Sequence, residues 1–129
     1  MERLAKFAPQ SQALLRIVSA LAFMEHGLMK QFSFPAAQPG APDPLPPILI
    51  AAAWLEIVGG ALVAVGFQTR LAAFILSGQM AVAYWVAHGT KSFWPALNGG
   101  EPALLYCFVF LFLACAGPGA WSVDGLRKR

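Results

Sequence analysis

Four long apolar segments set the strongest limit on how this chain can fold. They lie at about residues 11–30, 47–66, 70–89 and 102–117. A membrane-spanning helix needs about 20 mostly apolar residues, with a range of roughly 17–25. The first three segments have this length, and the fourth is short, at about 24 Å of helical rise. The pattern predicts an all-α fold: an integral membrane antiparallel four-helix bundle, in a single domain over residues 1–129.

The composition favours a membrane protein over a water-soluble one. Hydrophobic residues make up 58% of the chain and charged residues only 12%, whereas a soluble domain usually carries about 25% charged residues. So few polar groups cannot coat a soluble globule. The net charge is only +3, and no nucleic-acid partner is expected.

Helix-breaking residues separate the apolar segments. Residues 35–47 contain six prolines, which excludes a helix interior there. The stretch at 66–69, GFQT, predicts a tight connection with Thr69 as the N-cap of the third helix. Residues 89–101 form a polar connection, and GPG at 117–119 ends the fourth segment.

The distribution of basic residues predicts the orientation in the membrane. One side carries six Lys or Arg residues and the other side carries two, Lys30 and Lys91. The positive-inside rule then places both termini in the cytoplasm of a multi-pass inner (plasma) membrane protein. Arg16 interrupts the first apolar segment, so a cleaved signal peptide is not expected there. The six basic residues are Arg3, Lys6, Arg70, Arg127, Lys128 and Arg129.

Ionisable residues inside a membrane are costly and usually face the protein interior. On a helical wheel with about 100° per residue, His26 and Lys30 share a face with Arg16, while Glu25 lies on the opposite face. Glu56 is central in the second segment, and we expect Arg16 or His26 to be its partner. Such a contact is interpreted either as a buried clamp that fixes helix register or as part of a ligand-binding site.

A polar cap is predicted at the outer end of the bundle, from His26, Lys30, His88 and Glu101. No metal site is expected there, because the histidines and the glutamate come from different helices without motif spacing. No disulfide is expected between Cys107 and Cys115, which lie about 12 Å apart on one helix.

Several short motifs occur in one order along nearly the whole chain. They are Leu15–Arg16, the HGLMKQF stretch at 26–32, EIVGG at 56–60, GFQTR at 66–70, NGGE at 98–101, GPG at 117–119 and SVD at 122–124. Together these motifs resemble the DoxX family. Glu25 departs from the family pattern, where an apolar residue or proline is usual.

The resemblance implies a four-helix membrane protein linked to redox chemistry, since the family name comes from a membrane subunit of thiosulfate:quinone oxidoreductase. It favours a subunit of a redox complex with a quinone-type pocket at the outer end of the bundle. No flavin, haem or iron–sulfur motif is present, so no intrinsic cofactor is expected and electrons would need a partner subunit.

Which residues would be catalytic stays open, as does whether the chain is an enzyme at all. A non-catalytic assembly or anchoring protein is the main alternative, and a small-solute transporter is a weaker one. A homo-oligomer is a further expected form. The expected ligand-binding cluster comprises Arg16, His26, Lys30, Glu56, His88 and Glu101.

Overall fold

The computed structural model describes residues 1–128, and these residues form helices and connections without a β-strand. The all-α prediction is therefore confirmed for this part of the chain. The helices are α1 (Glu2–Ala5), α2 (Ala8–Phe32), α3 (Pro47–Val65), α4 (Thr69–Ala87), α5 (Pro95–Asn98), α6 (Glu101–Ala116) and α7 (Val123–Arg127).

The four long helices, α2, α3, α4 and α6, pack as two antiparallel hairpins. Helix α2 lies along α3 and α4 lies along α6, while α3 packs against α4. Helices α2 and α6 touch only slightly, so the assembly is least closed between them. We call the end that holds residues 117–128 the tail end. The opposite end, with the connections 33–46 and 88–100, is the loop end.

The helix boundaries follow from residues that start or stop helices. Ser33 and Gly66 end α2 and α3 in the left-handed conformation, as expected at helix C-termini. Pro47 begins α3, where its missing N–H costs nothing. The predicted cap at Thr69 is wrong by one residue, because Gln68 is the N-cap and Thr69 is the first helical residue.

Small and aromatic side chains fill the core between the two hairpins. The ring of Phe23 packs edge-on against Phe110 and Tyr106, with centroid distances of 4.9 and 5.4 Å. A methyl group added at Gly60 would lie 2.3 Å from Met24 Cγ, so α2 and α3 approach closely here. The fully buried apolar residues include Ala20, Val63, Ala73, Leu76 and Leu113.

The outer surface of the long helices is mostly apolar. Helices α3 and α4 are long and apolar enough to cross a membrane, and α6 is apolar but has only 16 residues. Helix α2 has 25 residues but carries three charged side chains. The exposed apolar side chains include Val18, Leu21, Trp54, Val58, Leu71, Phe74, Val82, Leu105, Phe108 and Phe112.

Candidate functional site

A buried ion pair joins α2 to α3 in the half of the molecule nearer the loop end. Lys30 Nζ lies 2.7 Å from Glu56 Oε1, and Gln79 Nε2 of α4 lies 3.2 Å from the same oxygen and donates to it. Glu56 is only 2% exposed, whereas the Lys30 side chain is 14% exposed. Among residues 1–128 this is the single ion pair. Together with the hydrogen bond from Gln79, it links α2, α3 and α4.

The direction of the side chains explains this pairing. Cα–Cβ bonds tilt toward the N-terminus of a helix. Since α2 and α3 are antiparallel, Lys30 leans toward the tail end and Glu56 leans toward the loop end. The two side chains therefore point toward each other along the helix axes, and the long lysine chain covers the remaining distance.

Gly27 permits the close approach of α2 and α3 beside the ion pair. A methyl group added at Gly27 would lie 2.6 Å from the carbonyl oxygen of Ala53 and 3.0 Å from Glu56 Cβ. The carbonyl oxygen belongs to a helix backbone and cannot move aside. Lys30 lies three residues further on the same face of α2, so the contact at Gly27 sets the distance between Lys30 and Glu56.

Two oxygen atoms of this cluster remain available as acceptors. Glu56 Oε2 and Gln79 Oε1 are buried and have no hydrogen-bond partner among the described residues. Leaving a buried polar atom unpaired costs roughly 1–3 kcal/mol. The cluster therefore keeps the capacity to accept two further hydrogen bonds.

Asn98 organises the connection between α4 and α6. Its amide nitrogen donates to Tyr84 Oη and to the Ser92 carbonyl, each at 3.0 Å, and its Oδ1 accepts from Gly100 N at 2.7 Å. His88 Nδ1 lies 3.0 Å from the Asn98 carbonyl oxygen. His88 thus holds this connection in place.

A groove of about 340 Å³ opens between α2 and α6, where the two helices pack least. One wall carries Tyr106, whose ring meets His26 edge-on with 6.1 Å between centroids. Glu101, the first residue of α6, is exposed and lies at the loop end of the groove. The lining residues are Ser19, Glu101, Pro102, Leu105, Tyr106 and Val109.

The structure distributes the four residues of the predicted polar cap over three environments. Lys30 bonds to Glu56, and His88 bonds to the connection after α4. His26 packs on Tyr106, beside the groove that Glu101 lines. All four are near the loop end, but only Glu101 lines the groove, and His26 adjoins it through its contact with Tyr106.

The predicted contact between Glu56 and Arg16 is wrong. Arg16 is completely buried at the tail end, where its guanidinium donates to the carbonyls of Pro118, Ala120 and Trp121. The latter two distances are 3.1 and 2.8 Å. Arg16 precedes Gly27 by eleven residues, or about 16 Å of helical rise, and it leans away from Glu56.

His26 is not the partner of Glu56 either, because its ring packs edge-on against Tyr106 of α6, and Glu56 Oε1 accepts from Lys30 and Gln79. The prediction considered Arg16 and His26 as partners of Glu56, and it missed the reach of Lys30 and the amide of Gln79. The sequence did offer one indication, because Gln79 is a polar residue within an apolar segment.

Asp124 fixes the tail to the turn between α3 and α4. Its carboxylate accepts from the backbone N–H groups of Gln68 and Thr69, both at 2.9 Å, and its own N–H donates to the Gly66 carbonyl at 2.8 Å. Partial burial opposes ionisation, but these N–H groups and the charge of Arg127 outweigh it and hold the pKa of Asp124 below its usual value. The carboxylate also complements the positive end of the α4 dipole.

The comparisons with known proteins agree with the motif series. The DoxX family matches residues 11–89. The chain belongs to the DoxX family. A protein of Haemophilus influenzae, described only as uncharacterized, is 43% identical over 128 residues, covering 96% of each chain. No solved structure matches this chain.

The description of a second relative names a location in the membrane. It is an uncharacterized membrane protein of Mycobacterium tuberculosis, 31% identical over 140 residues, which cover 94% of this chain and 84% of the relative. With the apolar surface of the helices, this similarity identifies the chain as a DoxX family membrane protein.

Proposed function

We propose that this DoxX protein is a multi-pass subunit of a redox complex in the inner membrane and binds a quinone-type ligand between α2 and α6. The groove there is the observation that carries the proposal. It opens sideways between two helices whose backbones approach each other less than those of the other neighbouring long helices. A ligand dissolved in the bilayer can enter such a groove without crossing water.

The apolar surface supports a placement in which all four long helices cross the bilayer. Most side chains that face outward are apolar on each of them, with Glu25 of α2 as the main exception away from the helix ends, and burying a charge in hydrocarbon would cost several kcal/mol. Helix α6, with 16 residues, spans about 24 Å. A bilayer accommodates such a short helix by thinning locally.

The basic residues support an orientation with the tail end in the cytoplasm. Arg3, Lys6, Arg70, Arg127 and Lys128 all belong to segments at the tail end. A reporter active only in the cytoplasm should give signal when fused after the tail and none when inserted at residues 35–47. Signal from the 35–47 insertion would overturn the orientation.

The chemistry of the groove suits a quinone head group. Its volume of about 340 Å³ lies within the usual range for ligand pockets, roughly 300–1,000 Å³. Leu105 and Val109 supply apolar walls, while the hydroxyls of Ser19 and Tyr106 can donate to quinone carbonyls. The Glu101 carboxylate at the loop end can accept a proton from a quinol hydroxyl.

The chain lacks a sequence motif for flavin, haem or iron–sulfur binding. Electrons that leave or reach a quinone in the groove therefore pass to a partner subunit. The role of this chain is to bind and orient the quinone and to receive its protons.

The test is to purify the chain in mild detergent and identify bound quinone by its difference spectrum and by mass spectrometry. Ser19→Phe, which places a ring in the groove, should reduce the bound quinone at least about tenfold, equivalent to about 1.4 kcal/mol. Val18→Phe is the matched control, since Val18 is exposed and does not line the groove.

Absence of quinone from the parent protein, also after incubation with a short-chain quinone, would overturn the proposal and favour the assembly or anchoring function. Equal loss of quinone in both variants would exclude the α2–α6 groove as the site. A partner subunit should co-purify in the same preparation if the chain belongs to a complex.

A further inference from the structure

The tail end carries a second cavity, unrelated to the quinone groove. It has a volume of about 590 Å³ and lies between the end of α3 and the tail. Trp121 and Leu126 are 63% and 67% exposed beside it, and Val65 of α3 is 53% exposed. The lining residues are Val65, Gly119, Ala120, Trp121, Ser122, Val123, Gly125 and Leu126.

This cavity lies where the apolar surface of the helices meets basic side chains. Val65 continues the apolar exterior of α3, while Arg127 and Lys128 directly follow Leu126 and are exposed. Neither has a carboxylate within salt-bridge distance in the described part of the chain. Both oxygens of the nearby Asp124 already accept backbone hydrogen bonds.

The walls of the cavity are held rigidly. Arg16 binds three carbonyls of the tail, and Ala120 N donates to the Pro9 carbonyl at 3.0 Å. Beside the cavity, the guanidinium of Arg127 lies over the ring of Phe67, 5.3 Å from its centroid. A preorganised surface loses little conformational freedom on binding.

We propose that this cavity binds one anionic phospholipid of the surrounding bilayer. The acyl chain lies along Val65, the indole of Trp121 lies at the level of the glycerol, and Arg127 and Lys128 receive the phosphate. Charge complementarity selects an anionic lipid, because two exposed cations that form no salt bridge in the described part of the chain adjoin an apolar wall. The inference rests on the proposed placement of the helices across the bilayer.

Native mass spectrometry of the full chain in detergent tests the inference. Phosphatidylglycerol and phosphatidylcholine with identical acyl chains are titrated separately. One phosphatidylglycerol should bind more tightly than phosphatidylcholine. The variant R127Q/K128Q should weaken phosphatidylglycerol binding about fivefold per charge, hence roughly 25-fold. Trp121→Ala should weaken the binding of both lipids.

R3Q/K6Q is the matched control, because it removes the same charge from the same end, away from the cavity. It should leave lipid binding unchanged. Equal affinity for the two lipids, or an equal loss in both double variants, would overturn the inference. Displacement by equimolar glycerol phosphate would show a site for free phosphate esters instead of a lipid.

Flotation with lipid vesicles in a density gradient tests the proposed placement of the helices separately. The chain should float with the vesicles. A chain that fails to float refutes the placement of the helices across the bilayer. A chain that floats but shows no preference for phosphatidylglycerol refutes only the lipid site.

Discussion

Lys30 lies three residues beyond Gly27, about 4.5 Å of helical rise, and its side chain turns back to place its ammonium 2.7 Å from the carboxylate of Glu56. The two residues differ in their access to water, since Glu56 is 2% and Lys30 is 14% exposed. A lysine head can reach solvent along its flexible stem. A short, buried carboxylate cannot reach solvent. Removing Lys30 and removing Glu56 should therefore lower the free energy of unfolding by different amounts.

We therefore expect Lys30→Met to destabilise the protein more than Glu56→Leu. Breaking a buried ion pair by removing one partner costs about 3–5 kcal/mol, and the lysine variant leaves the carboxylate without compensation. Unfolding in detergent or nanodiscs measures both effects. The double variant K30M/E56L should recover much of the loss. Unchanged stability of Glu56→Leu would contradict a structural role for the pair.

Gly27→Ala should lower the melting temperature and weaken the Lys30–Glu56 contact. The new methyl group would meet the Ala53 carbonyl oxygen at 2.6 Å, so α2 and α3 must separate. Overpacking of this kind typically costs about 1–3 kcal/mol. Gly78→Ala is the control, because nothing lies within 4 Å of its added methyl group. That variant should be as stable as the parent or more stable.

Arg16→Lys should release the tail from the end of α2. A lysine keeps the charge but lacks the planar fork that donates to the carbonyls of Pro118, Ala120 and Trp121 together. Limited proteolysis should cut residues 117–128 faster in this variant than in the parent protein. Arg3→Lys serves as the control at the same end. Equal cutting of all three proteins would show that Arg16 does not hold the tail.

Acid should weaken the attachment of Asp124 to the start of α4. The folded-state pKa of this carboxyl is lowered from its ordinary value of 3.8. Its contribution to stability is therefore complete above that value and is lost as the pH falls through the lower, folded pKa. The melting temperature of the parent should drop more than that of Asp124→Asn between pH values on either side of this range. If the melting temperatures of the two proteins changed with pH in the same way, Asp124 would not contribute to stability as expected.

Glu25 is exposed on α2, on the face away from Lys30 and Arg16, and we predict a contact there with a second chain. Glu25→Cys, in a C107A/C115A background, should form disulfide-linked dimers in membranes, as should Leu21→Cys one turn earlier. Phe74→Cys, exposed on α4, is the control. Free reaction of the thiol engineered in place of Glu25 with a water-soluble maleimide, without dimers, would place Glu25 in the headgroup region.

The helices were predictable from the sequence because prolines and glycines end apolar segments at definite positions. Pro47 begins α3 and Gly66 caps its end. Helix α2 continues to Phe32, two residues beyond the expected end at residue 30, and Ser33 is its C-cap. The shortness of the fourth segment was also visible, and α6 has 16 residues. Whether the four long helices all cross the membrane remains part of the proposed function.

The partners of the charged residues were less predictable, because they depend on long-range packing. The helical wheel placed Lys30 on the face of Arg16, yet Arg16 bonds to the tail, whereas Lys30 bonds to Glu56 in the middle of α3. Side-chain length and lean decide the choice for Lys30. For Arg16 the decisive partners are backbone carbonyls, whose positions no residue pattern reveals. Tyr106 and Ser19, which line the groove, are equally inconspicuous in the sequence.

The attachment of Arg16 to the tail has a consequence for how the chain is made. A ribosome adds Pro118, Ala120 and Trp121 about one hundred residues after Arg16. Until then the guanidinium of Arg16 has none of these acceptors. A chain cut before residue 118 would therefore keep a cation in its first long helix without these partners, and we expect such a chain to be degraded faster than the parent protein.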